Sequence, residues 1–112
     1  MVVGDLHCPF DHPRALKHAQ ETYAKFNCNK VIFIGDVLDS SANSFHESDP
    51  NGMSAGDELY QAKKHVAKWY KAFPKATVII GNHDLIVARK AFSGGIPREW
   101  IKHYNDVLDT PN

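Results

Sequence analysis

Three short apolar runs, Val2 to Val3, Val31 to Ile34 and Thr77 to Ile80, each stop at a glycine followed by polar residues. Runs this short and this rich in β-branched side chains read as strands buried on both faces. Two stretches with apolar residues at helical spacing separate them. Leu16, Ala19, Tyr23 and Phe26 form the first stripe, entered through Asp11-His12-Pro13 and ended by Asn27-Cys28-Asn29. Leu59, Ala62, Val66, Trp69 or Tyr70, and Phe73 form the second. Ser54 or Gly56 can cap that helix, Asp57 and Glu58 sit where its dipole favours negative charge, and Pro74 stops it. Further on, Leu85 to Phe92 reads as a helix, Ser93-Gly94-Gly95 as a break, and Pro97 as the opening of a last helix through Trp100 and Tyr104. Alternating strands and helices predict an α/β fold, with a largely parallel sheet flanked by helices and right-handed crossovers.

Ligand-type side chains follow each run. Gly4-Asp5-Leu6-His7, Gly35-Asp36-Val37-Leu38-Asp39 and Gly81-Asn82-His83-Asp84 would converge at the carboxyl ends of adjacent parallel strands, where open α/β sheets carry their sites. Asp5 and His7 are two apart, so on an extended chain both point to one side and share an ion while Leu6 turns inward. Asp36 is the candidate bridging ligand, because its two oxygens can each take one of two cations roughly 3.5–4 Å apart. Asn82 offers a neutral carbonyl oxygen to the second ion and leaves that ion a strong Lewis acid for a phosphoryl oxygen. His83 suits a phosphate contact or proton donor better than a ligand, with Asp84 orienting it through the other ring nitrogen. Oxygen and imidazole donors without thiolate point to two divalent ions of manganese, iron or zinc.

In this order the three segments resemble the calcineurin-like metallophosphoesterases, whose pattern is Asp-x-His, then Gly-Asp-x-x-Asp, then Gly-Asn-His-Asp or Glu. The resemblance covers residues 2–84. It implies the N-terminal part of that family's α/β sandwich and a dinuclear site that hydrolyses phosphomonoesters or phosphodiesters. It assigns Asp5 and His7 to the first metal, Asp36 to both, Asn82 to the second, and His83 to the phosphate or the leaving oxygen. Two departures stand out. Ser40 occupies the position where the family's protein phosphatases carry arginine, which removes support for protein phosphatase activity. After His83 only His103 follows, and the family's later Gly-His-x-His is absent. A single metallophosphoesterase domain over residues 1–112, truncated at its C terminus, is therefore expected. The alternatives are a non-catalytic fragment or regulatory metal-binding piece, and a nucleic-acid phosphodiesterase of the same superfamily.

Composition narrows the partners. Thirteen basic and 13 acidic residues give zero net charge, which argues against a nonspecific nucleic-acid binder. Lys63, Lys64, Lys68 and Lys71 fit the solvated face of an amphipathic helix. The polar loop from Ser40 to Gly52 leaves directly from the second motif and is assigned to the substrate side, with His46 as a phosphate or leaving-group contact. Cys8 and Cys28 are too few for a disulfide scaffold; Cys8, beside His7, is either a small buried residue or a thiolate of the metal shell. With no signal peptide and no apolar run long enough for a membrane, the chain reads as cytoplasmic, acting on a phosphate-ester substrate. A homo-oligomer is left open.

Overall fold

The computed structural model describes residues 1–111. Three parallel strands, β1 (Val2–Val3), β2 (Ile32–Phe33) and β3 (Thr77–Val78), form a sheet in the order β1-β2-β3. Val2 pairs with Ile32 and Val3 with Phe33; Ile32 pairs in turn with Thr77 and Phe33 with Val78. Helix α1 (Ala15–Lys25) crosses from β1 to β2 and α2 (Ala55–Ala72) from β2 to β3; α3 (Ile86–Ser93) and α4 (Tyr104–Leu108) follow. The α/β class with a parallel, helix-flanked sheet is thus as expected from the sequence.

A strand order that never reverses, joined by right-handed crossovers, puts both crossover helices on one face of the sheet. The core lies there. Val31 and Phe33 of the second strand region meet Ala19 of α1 and Ala62, Val66, Trp69 and Phe73 around α2, all buried. Phe33 stands edge-on to Trp69 with ring centroids 5.9 Å apart, and Tyr23 of α1 packs against Phe73 at 5.6 Å. Strand side chains alternate between faces, so Val2 and Ile34 turn the other way. Val2 is 62% exposed, and Ile34 and Ile79 are each 52% exposed. The expectation of burial on both faces is therefore corrected: within the described residues only the helix side is covered.

Two further boundaries differ from the sequence reading. Arg98–Trp100 is a 3-10 turn, Ile101 is extended, and α4 starts only at Tyr104, so the single last helix expected from Pro97 is two short elements. Ser54, rather than Gly56, caps α2, with the Asp57 N–H donating to its Oγ at 3.1 Å. Among the described residues, no helix is long and apolar enough to cross a membrane.

Candidate metal centre

The strands are only two residues long, yet the backbones beyond them stay bonded. His7 N–H donates to the Asp36 carbonyl at 2.9 Å, Cys8 N–H to the Val37 carbonyl at 2.8 Å, and Asp39 N–H to the Cys8 carbonyl at 3.0 Å. The first two motifs therefore run side by side. The third is brought against the second by glycines. A Cβ on Gly81 would stand 2.2 Å from Asp36 Oδ1, and one on Gly35, whose φ is +106°, would stand 2.8 Å from Gly81 Cα. No side chain fits between these two strand ends.

Among the described residues, six non-glycine residues have positive φ, and four of them, Asp5, His7, Asp36 and Ser40, belong to this crevice. Left-handed backbone costs an ordinary residue about 1–2 kcal/mol, and such strain collects at functional sites. The extended chain expected for Asp5-Leu6-His7 is accordingly corrected. Left-handed turns, not strand alternation, bring the two side chains together, with His7 Nε2 3.8 Å from Asp5 Oδ1, while Leu6 is buried as expected.

Among the described residues, two ligand groups result, each with its donor atoms within 4.8 Å of one another: Asp5, His7 and Asp36; and His7, Asp39 and His83. The first fits a divalent cation. Its two carboxylates repel unless a cation lies between them, and the imidazole presents a free nitrogen. His7 Nδ1 is 2.9 Å from Asp39 Oδ1, and a carboxylate acceptor requires the proton on Nδ1, leaving the Nε2 lone pair toward Asp5. In the second group the same contacts are better read as hydrogen bonds. His83 Nδ1–H donates to the Asp39 carbonyl at 2.7 Å, and its ring meets that of His7 edge-on at 4.7 Å. Asp39 thus orients both histidines, one through its side chain and one through its backbone. Sequence reasoning gave it no role of its own; the signal was its place as the last residue of Gly-Asp-x-x-Asp.

Asp84 is the clearest correction. It does not hold His83. Its buried carboxylate accepts from the N–H groups of Asp36 at 2.8 Å, Gly81 at 2.9 Å and Leu38 at 3.1 Å, and from the Tyr104 hydroxyl. It locks the second motif to the third and ties α4 to the back of the crevice. Burial, and then the bond to Asp84, push the Tyr104 phenol above its ordinary range.

The remaining candidates are spread out. Asp36 Oδ1 accepts the His83 N–H at 3.0 Å, which leaves its other oxygen for a cation. Asn82 is exposed at the turn between Gly81 and His83. His46 is exposed, stands outside both ligand groups, and donates its N–H to Ser44 Oγ at 3.0 Å. Cys8 is fully buried, and burial followed by the nearby Asp11 carboxylate pushes its thiol well above the ordinary value. It is a core residue, not a ligand. His103 is exposed at the start of α4, outside both groups.

Comparison with known families matches residues 1–112 to the family described as calcineurin-like phosphoesterase. No curated protein and no solved structure matches the chain.

Proposed function

The chain belongs to the calcineurin-like phosphoesterase family, and on that premise we propose that it is a metal-dependent hydrolase of phosphomonoesters or phosphodiesters. The observation that carries this reading is the group of Asp5, His7 and Asp36, converging within 4.8 Å with the His7 Nε2 lone pair turned toward Asp5. A divalent ion of manganese, iron or zinc held there would polarise a phosphoryl oxygen and supply an activated water. Asp5 and His7 would hold the first ion, Asp36 would serve both, and Asn82 would offer its carbonyl oxygen to a second. The second ion needs donors beyond Asp36 and Asn82.

His83 carries the proton chemistry. With Nδ1–H fixed on the Asp39 carbonyl, Nε2 is the nitrogen left to face the substrate, and in the imidazolium form its N–H would contact phosphate or pass a proton to the leaving oxygen, leaving the neutral ring. Asn82 and His46 are the further candidates for substrate contact. The zero net charge favours small esters over a nucleic-acid strand.

The test is manganese-dependent hydrolysis of a chromogenic phosphomonoester and phosphodiester, with Asp36→Asn beside the wild type. Turnover lost in the variant is the expected result; turnover retained would refute the assignment. Among the described residues, only the group of Asp5, His7 and Asp36 is not already joined by a hydrogen bond between its members' side chains, which favours a second reading as a non-catalytic, single-ion binding piece. Manganese binding by the wild type without any turnover would support that reading instead.

A further inference from the structure

Glu58 is a buried carboxylate outside the ligand groups, 4% exposed in the first turn of α2. Its Oε1 accepts from the Ser41 N–H and the Ser41 hydroxyl, both at 2.8 Å, and its Oε2 from the Ala42 N–H at 2.8 Å. Removing a carboxylate from water is costly, and three donors at that distance are what offset it. All three come from the 3-10 turn Ser41–Asn43, which begins two residues after Asp39. Between them Ser40 is buried and left-handed, with φ 54°, so the chain reverses sharply there and needs to be held.

We propose that Glu58 is a positioning residue of the metal centre: it clamps the Ser41–Asn43 turn and so fixes the Asp39 carbonyl, which sets the orientation of the His83 ring. Asp39 is anchored on its upstream side by its own N–H on the Cys8 carbonyl at 3.0 Å and by its carboxylate on His7. Downstream of Ser40, the clamp is Glu58. The peptide whose carbonyl receives His83 Nδ1–H at 2.7 Å therefore lies between a bond to the first motif and a bond to α2. Loosening the second bond lets that carbonyl rotate, and His83 then loses the acceptor that specifies its tautomer. The inference deepens the phosphoesterase reading and rests on it for its functional meaning, but its test needs neither metal nor turnover.

The experiment is long-range proton–nitrogen NMR on metal-free chain carrying nitrogen-15 histidine, at about pH 9, where an ordinary imidazole is neutral. Wild type, Glu58→Gln and Val66→Ala are compared. Val66 is a buried residue of the same helix, so its truncation weakens α2 without touching the turn. The wild type should show His83 as a single Nδ1–H tautomer. In Glu58→Gln an amide NH2 faces a backbone donor, and His83 should become a mixture of tautomers; Ser41 and Ala42 amide exchange should speed up about tenfold or more. Val66→Ala should keep the wild-type pattern. A wild-type pattern in Glu58→Gln, or the same mixture in Val66→Ala, would overturn the proposal. Should Glu58→Gln not fold, Ser41→Ala decides in the same way, because it removes the hydroxyl bond alone: a smaller shift in the same direction supports the clamp, and no shift overturns it. Lost turnover in Asp36→Asn, by contrast, concerns only the phosphoesterase reading.

Discussion

On the floor of the crevice the Asp84 carboxylate is buried and receives four donors, whereas at the rim the Asp5 side chain is 73% exposed, with the His7 ring and the Asp36 carboxylate close by. Glu58 belongs with the floor and Asp36 lies between, with one oxygen engaged by the His83 N–H. The same functional group does different work according to how many acceptor sites are already filled. A saturated carboxylate holds backbone segments together and has nothing left for an ion. An unsaturated one beside a second carboxylate is strained electrostatically until a cation arrives. Floor substitutions should therefore act on stability, and rim substitutions on metal affinity.

The strongest way to break that division is Asp84→Ala, which strands three backbone N–H groups and a phenol in the interior. We expect a loss of about 4 kcal/mol, read by denaturant unfolding. A midpoint close to wild type would show that the floor is not locked by this residue. Next in size is Gly81→Ala, whose Cβ would meet Asp36 Oδ1 at 2.2 Å. It should cost about 3 kcal/mol and also weaken manganese binding by displacing Asp36, so that one variant registers on both sides of the comparison.

Tyr104→Phe removes one of the four donors and should cost about 1–2 kcal/mol near neutral pH. Its pH dependence sharpens the argument. The folded phenol is held above its ordinary value of 10.0, so the unfolded chain releases that proton first as pH rises. The stabilisation from Tyr104 is full below pH 10.0 and is lost as pH climbs above it; the Cys8 thiol, raised from 9.0, acts in the same sense. Alkaline unfolding curves should thus be shallower in Tyr104→Phe than in wild type, and identical slopes would contradict the buried phenol. The smallest effect on stability is expected from Asp5→Asn, within about 0.5 kcal/mol, with manganese affinity reduced at least about tenfold by calorimetry. An Asp5→Asn chain that melts as early as Asp84→Ala, or binds manganese like wild type, would erase the distinction between rim and floor.

Much of the frame was legible beforehand. The runs at Val2, Val31 and Thr77 do carry the three strands, although only Ile32–Phe33 and Thr77–Val78 of the longer two are paired as strand; the second run gives way to left-handed backbone at Gly35 and Asp36, where the crevice opens. Ala62, Val66, Trp69 and Phe73 are buried as their spacing predicts, and the choice between Trp69 and Tyr70 falls to Trp69. The bare sheet face was not legible, since an apolar run looks alike whether one face is covered or two. Nor was the split of the last helix, because Pro97 marks a start without saying how far it carries.

The sequence by itself determined which residue types stand at the ends of the strands, and with them the family and the ligand candidates, because covalent order and side-chain chemistry are sufficient for a motif. Only the tertiary structure decided how those groups are shared out. It sent Asp84 inward to the backbone, gave Asp39 both histidines, and brought Glu58 against a turn 16 to 17 residues away in the chain. The physical reason is that a carboxylate's role depends on how many donors reach it. That number is settled by segments distant in sequence meeting in space, not by the residue or its neighbours along the chain.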